Sequence, residues 1–104
     1  MPVYALFQKL TVTDAAGLTD YLTKVKPLIE TMGGTFLVPD GSDWETLEGT
    51  HRPPAVLFKF ADLNAALHWY NSKEYRPLRD LRHRSATYDA ALLTGIEPSG
   101  PQHA

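Results

Sequence analysis

The chain has 104 residues, 43% apolar and 21% charged, with a net charge of −2 and no cysteine. A chain this short forms one domain with a modest core, its composition is that of a soluble globular protein, and disulfides, thiolate catalysis and cysteine-ligated zinc are excluded. The weak negative charge offers nothing global to nucleic acid or acidic lipid, and no apolar run approaches the ~20 residues that span a bilayer. The opening Met1-Pro2-Val3-Tyr4 lacks the basic start and cleavage site of a signal peptide, so a cytoplasmic location is expected, with no membrane and no nucleic-acid partner.

In chain order, Val3 to Val12 reads as a strand, since Val3, Ala5 and Phe7 alternate with Tyr4, Leu6 and Gln8. Thr13-Asp14 offers a helix cap, and Leu18, Tyr21, Leu22, Val25, Leu28, Ile29 and Met32 then form one apolar stripe at helical spacing. Pro27 lies inside that stripe and predicts a kink or a split, because proline removes a backbone donor. Gly33-Gly34 ends the helix.

Thr35 to Val38 is a short strand, Pro39 to Asp43 a turn-rich loop, and Trp44 to Glu48 a further strand or hairpin arm. Gly49 to Pro54 is loop, and Ala55 to Phe60 is the clearest strand, with Val56, Phe58 and Phe60 on one face. Asp62 caps a helix carrying Leu63, Ala66, Leu67 and Tyr70. A break near Asn71-Ser72 precedes a second helical piece from Lys73 to about Arg84, with Tyr75, Leu78 and Leu81 inward. Thr87 to Thr94 is the last strand. Residues 1–96 are expected to form the domain, and 97–104 a disordered tail.

The order β-α-β-β-α-β is the split βαβ arrangement of an α+β, ferredoxin-like fold: an antiparallel sheet with helices on one face. The uncovered face of a monomer should be polar. Instead both sides of the first strand are largely apolar, Leu37 opposes Phe36/Val38, and Leu57 opposes Val56/Phe58/Phe60. Exposed apolar patches above a few hundred Å² are unusual in monomers, so a homodimer joined through the sheet face is expected.

Three stretches carry a resemblance: "GGTFLV" after the first helix, "LEGTHRPP" before the central strand, and "FKFADLNAALHWYNSKEYRPLRDLR" through the second helical region. From Val3 to Gly95 the chain resembles the "domain of unknown function 1330" family of small ferredoxin-like proteins that form dimeric α+β barrels, with Trp69, Tyr70, Ser72, Glu74, Tyr75 and Arg82 at the family's spacing. It departs in the middle loop, where Gly49-Thr50-His51 replaces a common Gly-Asp-aromatic. The resemblance implies the fold and the dimer but no reaction. Related dimeric α+β barrels include cofactor-free monooxygenases, isomerases and decarboxylating or dechlorinating enzymes that hold a small ligand between sheet and helices, an analogy of fold alone.

Positive charge concentrates at Lys73, Arg76, Arg79, Arg82 and Arg84. Asp80 stands four residues from both Arg76 and Arg84, which predicts exposed ion pairs. Arg82 differs, because it flanks the apolar side formed by Leu78 and Leu81. There it needs a carboxylate, with Glu48, Glu74 and Asp62 as candidates, a backbone carbonyl or a ligand anion. Ser72 fits a helix cap or a hydroxyl donor to a ligand, and Tyr75 fits a core ring or a second donor. Glu48 and His51, on the loop feeding the central strand, form the candidate proton-transfer pair. Histidine spacing supports no metal site, and no cofactor motif is present.

The residues therefore predict a small anionic or aromatic molecule in a cleft between the sheet and the second helical region. Trp69, Ser72, Tyr75 and Arg82 would bind it, and Glu48 and His51 would supply cofactor-free proton transfer or oxygenation. The alternative is a non-catalytic dimeric structural or regulatory module.

Overall fold

Alternation in the first strand decides which side of the sheet becomes the core. The computed structural model describes residues 1–50 and 54–96. Strand β1, Val3–Val12, turns Val3, Ala5 and Phe7 inward and lies between β3, Ala55–Phe60, and β4, Ala86–Thr94, antiparallel to both. Strand β2, Thr35–Val38, pairs with β3, so the sheet order is β2-β3-β1-β4. The expected tail, 97–104, lies outside the described residues.

Helix α1, Ala15–Thr31, begins where the Asp14 carboxylate accepts the Gly17 N–H at 3.0 Å. Its stripe buries Leu18, Tyr21, Val25 and Ile29 against the sheet. The helix runs unbroken through Pro27, against the expectation of a split. Both Pro27 and Thr23, whose carbonyl loses its donor, are on the exposed face, so water can take the missing bond. The helix closes in a left-handed turn: Gly33 has φ 97°, its N–H donates to Glu30 C=O, and the Gly34 N–H donates to Ile29 C=O at 2.8 Å.

Trp44 to Glu48 forms no strand, contrary to expectation. Leu47 is 89% exposed and Trp44 45%, so the stretch buries no continuous apolar face that would fix a register. The second helical region is divided as the Asn71-Ser72 break predicts, into α2, Leu63–Tyr70, and α3, Arg76–Ser85. Asp62 caps α2 by accepting the Ala65 N–H at 2.8 Å.

All three helices lie on one side of the sheet. Between them and the strands, Trp69 sits at the centre of an aromatic cluster, with ring centroids 4.4 Å from Tyr75, 5.4 Å from Phe58 and 5.8 Å from Phe60. The Ser85 carbonyl accepts N–H groups from Thr13 and Asp14, which ties the α3–β4 junction to the start of α1. This tie fixes α3 beside α1. On the opposite face of the sheet Tyr4, Leu6, Leu57 and Leu93 meet no helix among the described residues, and Leu93 is 48% exposed.

Candidate functional site

Helix α3 is mostly charged, yet one of its arginines is inside. Arg82 is 4% exposed. Its guanidinium lies 5.2 Å from the Phe7 ring centroid and 5.4 Å from that of Tyr88, held between two aromatic faces. Its Nε donates to the Tyr75 hydroxyl at 3.4 Å, and Nη2 is 3.5 Å from His83 Nε2. The Tyr75 hydroxyl is in turn 2.8 Å from the Tyr21 hydroxyl of α1, in the buried interior.

No carboxylate neutralises this cation among the described residues, where the ion pairs are Lys9–Asp40, Lys24–Asp20 and Lys26–Glu30. The expected partners are placed elsewhere: Asp62 is spent on the α2 cap, and Glu74 and Glu48 are exposed. The expected pairing of Asp80 with Arg76 or Arg84 is likewise not formed; on an exposed helix face it offers too little energy to hold two long side chains in one geometry.

Burial opposes the charge of Arg82, but the neighbouring oxygens of Tyr75 and Tyr21 outweigh it and hold the guanidinium above its ordinary range. Burial pushes Tyr75 up, with Arg82 pulling the other way, and pushes Tyr21 well above the usual phenol range, reinforced by Tyr75. Both phenols are therefore neutral at pH 7. They solvate the cation with dipoles and leave its formal charge uncompensated.

Beside this network is a cavity of about 80 Å³ between α1 and the sheet. Tyr21, Phe7, Tyr88, Phe36 and Phe58 form its wall, and the exposed residues Lys26 and Asp40 its rim. Phe7 and Tyr88 are the same rings that clasp Arg82, so the guanidinium stands immediately behind the wall. The Tyr88 hydroxyl is buried without a hydrogen-bond partner among the described residues, and burial, then Asp40, pushes it up to about 12.

The residues singled out in sequence separate into groups. Tyr75 and Arg82 are together, behind the cavity. Ser72 holds the turn that precedes α3 and is not the N-cap of that helix, a position Tyr75 takes without a side-chain bond: the Ser72 hydroxyl donates to Trp69 C=O at 2.8 Å and accepts the Tyr75 N–H at 3.1 Å. Trp69 is 1% exposed, and it lines a separate groove of about 270 Å³ beside α2 with Leu67 and Leu92. Thus the cavity backed by Arg82 lies under the first helix, whereas the space beside the second helical region is this groove.

Glu48 lines a third hollow with Gln8, Val38 and Trp44, which shares no residue with the cavity. His51 lies outside the described residues. Tyr21, Phe7 and Tyr88 were not singled out. A hydroxyl within the apolar stripe of α1 was the available signal for Tyr21, but its partner is 54 residues away. Among the described residues no cluster of three or more His, Asp or Glu side chains is placed to hold a metal ion, and no helix is long and apolar enough to cross a membrane.

An antiparallel sheet in the order β2-β3-β1-β4 with helices on one face defines a ferredoxin-like α+β protein. Within that class the chain belongs to the family described as a domain of unknown function (DUF1330), which matches residues 2–96. No curated protein matches it in sequence. Among solved structures it is similar to RPA0582 of Rhodopseudomonas palustris, a protein of unknown function, with a TM-score of 0.73 and 16% identity over 93% of this chain and 84% of that one. It is also similar to SnoaB of Streptomyces nogalater, a cofactor-independent oxygenase, with a TM-score of 0.64 and 14% identity over 96% and 98% of the two chains. A dimeric protein of unknown function and ferredoxin-like fold from Bacteroides fragilis has a TM-score of 0.52 and 10% identity over 88% and 94%. At these identities the likeness is one of fold.

Proposed function

We propose that this protein is a homodimer, joined through the uncovered sheet face, that binds a small anionic or aromatic molecule in the cavity under α1. The observation that carries the ligand half is Arg82: 4% exposed, with no carboxylate partner among the described residues, and adjacent to an aromatic cavity. A buried cation without an anion is costly to keep. A bound anion relieves that cost, and aromatic walls suit a flat apolar body. Tyr75 shares in the binding through its bond to Arg82. Trp69 and Ser72 serve the site by fixing the α2–α3 turn that carries Tyr75.

The similarity to a cofactor-independent oxygenase supports cofactor-free proton transfer or oxygenation as the chemistry such a site would perform. In that reading Glu48 and His51 remain the proposed bases. Similarity to a dimeric neighbour supports the homodimer.

The test is Arg82→Met, with small aromatic acids such as benzoate and salicylate as probes in calorimetry. Wild type is expected to bind at least one of them, and the variant to lose roughly tenfold or more of that affinity while melting within a few degrees of wild type. An Arg82→Met protein that melts far lower, with no acid bound by wild type, would show that the guanidinium only fastens α3 to the sheet.

A further inference from the structure

The order of hydrogen bonds behind the cavity says which atom meets the ligand. Arg82 Nε can only donate, so the Tyr75 oxygen accepts from it. Tyr75 has one proton to give, and among the described residues its only hydrogen-bonding neighbour besides Arg82 is the Tyr21 hydroxyl at 2.8 Å. Were Tyr21 the donor in that pair, the Tyr75 proton would be left unsatisfied at a side chain with 0% exposure, a costly arrangement. The arrangement Arg82 to Tyr75, Tyr75 to Tyr21 is favoured because the proton it strands belongs to the phenol that borders the cavity, where a ligand or water can accept it. It leaves the Tyr21 proton as the one without an acceptor. Tyr21 lines the cavity; Tyr75 and Arg82 do not.

From this we infer that Tyr21 is the residue that hydrogen-bonds the ligand, that it does so to a negatively charged oxygen, and that Arg82 acts on that oxygen through Tyr75 and Tyr21 rather than by a salt bridge. The inference rests on the cavity reading above and deepens it by naming the contact and the ligand class: a small carboxylate, enolate or phenolate on an apolar body. Donors in series strengthen one another, so the terminal phenol of a chain that begins at a cation is a better donor than a lone tyrosine. The rest of the wall fits the same ligand. Phe7, Phe36, Phe58 and Val56 offer only apolar contact to its body. Tyr88 adds its ring to the wall, and its shielded hydroxyl has no hydrogen-bond partner among the described residues. An enolate is also the species formed when a proton is removed next to a carbonyl, so a donor placed here favours that product over its neutral precursor.

Fluorine NMR tests this with three probes: trifluoroacetate and 4-fluorobenzoate, which carry the charged oxygen, and fluorobenzene, which does not. Wild type is expected to bind one or both acids. Tyr21→Phe should weaken acid binding roughly tenfold or more, Tyr75→Phe should weaken it about as much as Arg82→Met does, and neither should alter fluorobenzene binding, which reports that the folded cavity is intact. If Tyr21→Phe and Tyr75→Phe bind the acids as well as wild type while Arg82→Met does not, the guanidinium touches the ligand directly and the relay is overturned. If no acid binds wild type, the cavity reading itself fails, whatever the variants do.

Discussion

Three phenols and a guanidinium crowd the interior between α1, α3 and β4, and their protonation couples the fold to alkaline pH. Tyr21, Tyr75 and Tyr88 are all raised above the ordinary value of 10.0, Tyr88 to about 12, with burial the largest cause for each. The neutral phenol is therefore favoured in the folded state. The unfolded chain starts to lose these protons near pH 10, whereas the folded chain holds them until higher pH. Stability is thus fully present below pH 10 and is lost as pH rises from 10 towards about 12. Urea midpoints measured across that interval should fall steadily, and Tyr88→Phe should make the fall shallower by removing one of the three groups. A midpoint that stays level would mean the phenols are as well hydrated in the fold as out of it. Tyr88→Phe carries a second consequence below pH 10, where deleting an unpartnered buried hydroxyl should cost nothing.

At the scale of elements, the site depends on how closely α1 approaches the α3–β4 junction, and Gly17 sets that distance. A Cβ there would collide with the buried Ser85 hydroxyl and stand 2.7 Å from the Asp14 carboxylate that caps α1. In an ordinary exposed helix, glycine to alanine stabilises by about 1 kcal/mol. Here Gly17→Ala should destabilise by about 1–3 kcal/mol, through overpacking and a disturbed cap, and lower the melting temperature by roughly 4–8 °C per kcal/mol. A raised melting temperature would show that the helix has room to spare. The elements themselves were legible wherever one residue pattern decided them: alternation for β1 and β3, the three-and-four spacing of α1, carboxylate caps at Asp14 and Asp62, and the break before Lys73. Legibility failed where a tertiary balance decided. Pro27 does not split α1 because the Thr23 carbonyl it leaves without a donor is on the exposed face, and Trp44 to Glu48 has strand-like residues but buries no continuous apolar face. The candidate site was half legible. Arg82 declared itself as a cation on an apolar helix face, but Tyr21 read as one more member of a core stripe, because no local pattern reports a hydroxyl's partner across 54 residues.

At the scale of the molecule, among the described residues one side of the sheet has three helices and the other has none. On that bare side the register sets Leu6 opposite Leu57 and Ala91, and Tyr4 opposite Leu93, with Gln8, Lys59 and Asp89 as its polar members. Polar residues thus interrupt the face without covering its leucines. Burying a leucine is worth about 1.5–3 kcal/mol, so a few of them meeting their copies across a two-fold axis can hold a dimer. The same geometry makes the dimer easy to break without touching the site. Leu6 and Leu93 point away from the cavity, so Leu6→Asp with Leu93→Asp places unpaired carboxylates in the proposed interface and leaves the wall formed by Phe7, Tyr21 and Tyr88 unaltered. Light scattering on a sizing column should report a dimer for wild type at micromolar concentration and a monomer for the double variant. Acid binding then separates two architectures. If the monomeric variant still binds, the cavity is complete in one chain. If it folds but no longer binds, the partner contributes to the site. A wild type that is monomeric throughout would leave the leucines of this face without the cover their chemistry calls for, and the homodimer would have to be abandoned.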